Sequence, residues 1–456
     1  MIGALMAVFP SALHVLTYDV RGVMTATGKV KPTRQTGLVQ HTHQFLAAMV
    51  EHHPHTEVTI TRTGTERPGF MGTLLTPEGQ RAELRGVATA FPQYLADPVT
   101  GGKDPARVHR YYEDLIDQDT NPIWESLARQ YTEQVLAART PDLLVQNINP
   151  LVALLKAEEF GHLRPEQAER LQITGVIHDC AQMRARFGYL ASRLDHTRAR
   201  VRLIAVSETI RQALIDAGVD PHAVVRVFNG MDTGHFLDQL ATVRRERVFE
   251  QVRVRSRVSD QGPVVLLSAR RVPWKGHIDL IDAVHYLHTN GDLGETVVVI
   301  NGAGLLDTRT PLYEQELRER IQRKGLQEHV FLLDALTPAE VVSCYAGAYV
   351  AVHPSREPEP FGYTNIEAML AGVPVITTAH GGPAEYIDHA HSGLLVPPCD
   401  PPALATALHQ VLSDPALRDR LSAGGRATAL TFGLKPMFAA YAQTIARPTP
   451  AKASQR

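Results

Sequence analysis

The sequence is poor in the features that mark secreted, membrane-spanning or nucleic-acid-coating chains. It has three cysteines in 456 residues, and Cys180, Cys344 and Cys399 stand far apart with no CxxC pair. That excludes a disulfide framework and fits a reducing cytoplasm. No apolar run reaches the length needed to span a bilayer. The first ten residues are apolar but lack a basic start and are interrupted by Pro10, so they read as a lead-in to the first strand. Charge is nearly balanced: 46 Lys and Arg against 48 Asp and Glu leave −2, which argues against a general nucleic-acid or membrane-surface binder. Internal repeats are absent, and only 448–456 reads as a disordered tail. What is present is ordinary globular composition in a chain too long for one core, so two α/β domains are expected.

The informative stretch runs from His353 to Pro397. Tyr349–Val352 reads as a buried parallel strand, Thr364–Ala371 as a helix and Val373–Ile376 as the next strand. This is one βαβ unit, with an acidic, Pro- and Gly-containing loop at the carboxyl end of its first strand, where open α/β sheets bind ligands. Glu359 and Glu367 are eight residues apart, about 12 Å of rise even on one continuous helix. Carboxylates that share a proton or flank one bond stand much closer, so this pair suits the two ends of an extended ligand. Between them, the backbone N–H groups of residues 362–365 are orphan donors at a helix start, a seat for phosphate. That order of groups fits a nucleotide sugar.

Glu359 followed by Pro360-Phe361-Gly362, Glu367 followed by Ala368-Met369, then Gly381-Gly382-Pro383 and Gly393 to Pro397, resemble the retaining glycosyltransferases of family 4. The resemblance implies the GT-B fold: two Rossmann-like domains facing across a cleft, with a carboxyl-terminal helix crossing back to the first domain. It also implies that Glu359 contacts the donor sugar and Glu367 the ribose, with Phe361, Gly362, Tyr363 and Thr364 in the same donor segment.

Further upstream, Ala269-Arg270-Arg271-Val-Pro-Trp274-Lys275-Gly276 leaves the strand Val264–Ser268 and precedes a helix expected over His277–Thr289. Arg grips two oxygens at once and Lys adds a point charge, a combination suited to a diphosphate; on spacing alone a solvated basic turn fits as well. By resemblance, Arg270 and Lys275 stabilise the leaving phosphate, while Arg271 replaces a usual apolar residue and Trp274 stands where an acid is common. His178, ending the strand Ile173–Ile177, corresponds to a histidine that touches the donor sugar. By the same resemblance, Asn301, Gly302 and Gly304 occupy the family's turn beside the nucleotide. In the first loop Gly37 alone fills the place of a glycine pair. His41, His43, His52, His53 and His55 have no Cys or carboxylate at ligand spacing and read as surface histidines.

The expectation is therefore an enzyme, a retaining glycosyltransferase, with domains over 1–228 and 229–434 and a crossover helix with tail over 435–456. Its partners are a UDP-, GDP- or ADP-linked sugar and a small polar acceptor, with no metal or other cofactor and no nucleic acid. The alternatives are a catalytically silent nucleotide-binding subunit and a phosphorylase of the same fold.

Overall fold

The computed structural model describes residues 9–17, 45, 46, 49, 53, 55–65, 68–75, 81–88, 122–179, 184–243, 249, 262–302, 310–333 and 336–446. Gly37, Gly304, Cys180 and the expected tail lie outside these residues. The chain divides into two units, one of Met1–Thr100, Ala106–Met231 and Leu434–Arg456, the other of Gly101–Pro105 and Asp232–Gly433.

Among the described residues the first unit holds eight strands: β1 (Ala12–Thr17), β2 (Glu57–Thr65), β3 (Gly69–Leu75), β4 (Arg81–Ala88), β5 (Asp142–Val145), β6 (Gln172–Ile177), β7 (Arg200–Ala205) and β8 (Val224–Arg226). They lie in the order β3-β4-β2-β1-β5-β6-β7-β8, parallel throughout except for β3 against β4. Residues 69–75 show no strand alternation, with glycines at 69 and 72, and β3 holds by its ladder to β4 as an edge strand. Helices α1 (Pro122–Ala138), α2 (Ile148–Glu159), α3 (Arg184–Leu194) and α4 (Glu208–Asp216) supply the connections. Ser207 caps α4 by accepting the Ile210 N–H. The sheet buries polar side chains as well as apolar ones. His14 is fully enclosed and its Nε2 lies 2.7 Å from the Thr61 hydroxyl. Burial, helped by the Arg85 charge, lowers its pKa to about 3.

In the second unit the elements are α5 (Thr233–Thr242), β9 (Val264–Ser268), α6 (His277–Asn290), β10 (Val297–Asn301), α7 (Thr310–Arg323), β11 (Val330–Leu332), α8 (Pro338–Gly347), β12 (Val350–His353), α9 (Tyr363–Leu370), β13 (Val375–Thr378), β14 (Leu394–Val396), α10 (Pro401–Ser413) and α11 (Pro415–Ala429). Among the described residues its six strands run β11-β10-β9-β12-β13-β14, all parallel. Their near-continuous Val, Leu and Ile content follows from burial on both faces. Both strands of the expected βαβ unit start later than their apolar runs. Pro374 cannot donate to a ladder and offers only its carbonyl, to Ala351 N–H at 2.9 Å, so pairing in β13 begins at Val375. Thr337 caps α8 in a reciprocal box with Glu340, with Pro338 at the first helical position.

The last helix, α12 (Leu434–Ala446), belongs to the first unit. Its Phe438 and Tyr441 rings lie 5.0 and 5.6 Å from Phe45, and the Gly230 N–H points at the Met437 sulfur at 3.0 Å. His53 corrects the surface expectation: its ring packs 4.7 Å from Phe9 and 5.8 Å from Phe438, because α12 covers that face. Among the described residues no helix is long and apolar enough to cross a membrane.

Candidate active site

Strands β9 and β12 are neighbours in the sheet, yet the chain winds away from them in opposite directions, to β10 and to β13. Their carboxyl ends therefore open side by side at the switch point of the sheet. The turn 269–276 leaves the first and the loop 354–362 leaves the second. The two are joined by backbone: Arg356 N–H donates to the Trp274 carbonyl at 2.7 Å. Gly276, at φ 72°, allows this approach, since a Cβ there would lie 1.8 Å from the Pro354 carbonyl oxygen. The Arg356 guanidinium adds a two-pronged grip on Asp279 in the first turn of α6, both bonds 2.7 Å.

Lys275 and Glu359 meet across this junction. The ammonium donates to Glu359 Oε2, which also accepts the Ser355 hydroxyl at 3.3 Å. Both side chains are largely enclosed, 13% and 17% exposed. Arg270 is half-buried, and among the described residues nothing pairs with its guanidinium. Arg271 has a different task. It is buried, bound to Glu314 at 2.8 Å and to the Leu333 carbonyl, and so ties the turn to α7 and to the end of β11.

The glycine pair of the sequence signature acts on Glu359 through the main chain. Gly382 N–H donates to the Glu359 carbonyl at 2.7 Å. Gly381 lies so close that a Cβ would stand 2.5 Å from both the nitrogen and the oxygen of Glu359. Helix α9 then opens from Gly362, with no side chain capping its first turn. One correction applies to the donors there: the Asn365 N–H is already spent on the Gly362 carbonyl at 3.0 Å, because the first turn tightens. Phe361 and Tyr363 are buried with ring centroids 5.0 Å apart, so their side chains hold the loop to the core. Thr364 is half-buried, its hydroxyl 3.4 Å from His353 Nδ1. Glu367, one turn further along α9, accepts the hydroxyl of buried Tyr345 at 3.1 Å.

Two buried histidines stand beneath the junction. Burial lowers the pKa of His353 to about 3, with the Lys275 charge pushing the same way. Burial likewise lowers His277 to about 3. Both are neutral near pH 7, and Arg270 and Lys275 supply the positive charge. Asn301 is only 1% exposed, beside the Cys344 thiol, which burial pushes up to about 12; its carbonyl accepts Ala269 N–H at 3.1 Å. Gly302 follows it out of β10. The fold thus brings Arg270, Lys275, Asn301, Gly302, Glu359, Phe361, Gly362, Tyr363, Thr364 and Glu367 to the carboxyl ends of β9, β10 and β12. His178 belongs to the first unit, at the end of β6, with Nε2 3.4 Å from Gln146 Oε1 at the end of β5. Asn147, next to it, caps α2. Among the described residues no cluster of three or more His, Cys, Asp or Glu is placed to hold a metal.

Ser355, Arg356 and Tyr345 were not expected at the site. Only Ser355 and Arg356 carried a signal, by lying between a strand end and Glu359.

Residues 248–428 match the family described as glycosyl transferases group 1. A D-inositol 3-phosphate glycosyltransferase of Jonesia denitrificans is 34% identical over 216 residues, 47% of this chain and 49% of that protein. A mannosylfructose-phosphate synthase of Agrobacterium fabrum is 30% identical over 172 residues, 38% of this chain and 37% of that protein. The chain spans about half the length of the first of these curated relatives. Among solved structures, a trehalose-6-phosphate synthase superposes with a TM-score of 0.72 at 13% identity, covering 96% of this chain and 100% of that one. The Anabaena protein Alr3699/HepE, solved with UDP and glucose, gives 0.65 at 19% identity, covering 96% and 99%. These structural likenesses establish the fold, two Rossmann-like parallel-sheet domains of GT-B type. The similarity to the glycosyl transferases of group 1 is thus carried by residues 248–428, within the second unit.

Proposed function

We propose that this protein transfers a sugar from a nucleotide-diphosphate sugar to a small polar acceptor, with retention of anomeric configuration. The observation that carries the reading is the junction at the switch point of the second sheet. There the half-buried Arg270, the Lys275 ammonium paired with Glu359, an uncapped helix start and, one turn on, the Glu367 carboxylate follow the strand ends. Such a row matches a ligand with hydroxyls at both ends and a diphosphate in the middle.

Arg270, Lys275 and the first N–H groups of α9 take up charge on the departing diphosphate, acting as preorganised electrostatics in a partly dry site. Glu359 orients the sugar and Glu367 the ribose; the resemblance alone assigns His178 to the sugar. No separate nucleophile is assigned. The bond from the anomeric carbon to the phosphate oxygen breaks as the acceptor oxygen bonds to that carbon on the same face. The acceptor proton passes to the leaving phosphate oxygen. A trapped glycosyl-enzyme adduct would overturn this route.

UDP leads the candidates for the base because Alr3699/HepE was solved with UDP and with UDP-glucose, with GDP and ADP as the alternatives. The relatives' names, D-inositol 3-phosphate glycosyltransferase and mannosylfructose-phosphate synthase, support a phosphorylated polyol or sugar as acceptor. The charge a metal would otherwise neutralise is met by protein cations, and the proposed site is cytoplasmic. The test is thermal-shift titration with UDP, GDP, ADP and their sugars, followed by product analysis with phosphorylated polyols and hexoses. A nucleotide that stabilises the protein, with a retained anomer in the product, is the expected result. If none of the nucleotides binds, the reading is wrong.

A further inference from the structure

The Lys275 ammonium is held on two sides. One is the Glu359 carboxylate; the other is the Trp274 indole, with Nζ 4.1 Å from the ring centroid. The Lys275 side chain is only 13% exposed, so water does little to compensate either partner if it leaves. The histidines beneath, His277 and His353, are neutral and offer no counter-charge. In this state the ion pair occupies both groups that a sugar nucleotide needs. A diphosphate draws Lys275 off Glu359, and the carboxylate then becomes available to sugar hydroxyls.

Throughout that exchange the ammonium needs one partner that does not change. Trp274 is suited to this. It sits in the turn Pro273–Lys275, its carbonyl accepts Arg356 N–H at 2.7 Å, and Gly276 locks the turn against Pro354. An indole face attracts a cation without carrying charge, so it does not compete with phosphate oxygens. A carboxylate in its place would compete.

We propose that Trp274 is a positioning residue for the donor: its indole retains the Lys275 ammonium while the nucleotide diphosphate displaces the Glu359 carboxylate. This rests on the glycosyltransferase reading above and assigns a residue to its donor-binding step.

The test compares Trp274→Leu, which removes the aromatic face, with Trp274→Phe, which keeps one. Trp274→Leu is expected to lower kcat/KM for the sugar nucleotide by roughly tenfold, a loss of the size a partly desolvated cation–π contact implies. The KM for the acceptor should stay unchanged, and Trp274→Phe should recover most of the loss. A second readout needs no turnover. The chain has two tryptophans, and Trp124 is fully buried in the first unit. The emission difference between the parent and Trp274→Phe therefore isolates the indole at 274. Titration with UDP, GDP or ADP should change that difference saturably as the ammonium shifts. Equal donor kinetics in Trp274→Leu and parent, or an indole signal that nucleotide binding leaves unmoved, overturns the proposal while the transferase reading stands. Absence of any nucleotide binding to the parent, measured by calorimetry, overturns both.

Discussion

Lys275 and Glu359 neutralise each other in an enclosed junction, and that couples what a substitution at either does to the other. On the proposed reading, Lys275→Ala removes a cation from the leaving diphosphate, and Glu359→Ala removes the group that orients the sugar. Each is expected to lower kcat by at least about a hundredfold, the scale of one lost transition-state contact. The double variant should be little worse than the poorer single one, since the two act as a unit; steady-state kinetics on purified variants decide this, and near-native turnover in either single variant removes its assigned role. Arg271→Ala should behave differently. It leaves Glu314 with Arg318 alone and the Leu333 carbonyl without its donor, so stability falls by about 1–3 kcal/mol while kcat in the folded protein changes little, as urea titration and kinetics in parallel can show. Adjacent arginines look alike in a sequence. Arg271 is told from Arg270 only by partners 43 and 62 residues away, which no local pattern displays.

At the scale of the element, the βαβ unit from β12 to β13 was legible because its apolar runs, its glycines and its acids have local causes. The Gly381-Gly382 pair is one of them, with its reason visible only in three dimensions: it lies against the main chain of Glu359. Gly381→Ala adds a Cβ at φ 72° and 2.5 Å from that backbone. The left-handed conformation alone costs about 1–2 kcal/mol, and relief of the contact displaces Glu359. The expected outcome is a lower Tm together with at least a tenfold loss of nucleotide affinity; unchanged affinity would detach the glycine pair from the acid. What escaped the sequence has physical reasons too. β3 is an edge strand with exposed Phe70 and Met71, so neither burial nor alternation marks it. In β2, Thr59, Thr61 and Thr63 are buried, a polar lining that composition reads as surface.

For the whole molecule, buried neutral histidines set the response to acid. His14 in the first unit and His277 and His353 in the second have pKa values lowered from an ordinary 6.5 to about 3 by burial. The unfolded chain takes up these protons first, so their contribution is complete above about pH 6.5 and is lost as pH falls toward 3. Calorimetry should therefore show Tm falling between pH 7 and pH 5, before most carboxylates titrate. A flat Tm across that window would contradict the enclosure of these rings. The two units share this sensitivity but not their continuity in the chain, because α12 returns to the first unit and covers Phe45 and Phe9. A chain ending at residue 433 should lose protection from proteases within 122–231 while 262–429 stays resistant.

That return of α12 also fixes an order of assembly during synthesis. The amino-terminal unit is begun first and finished last: its aromatic seat stays open until Phe438 and Tyr441 have left the ribosome. By then the entire second unit has emerged and has had time to fold ahead of it.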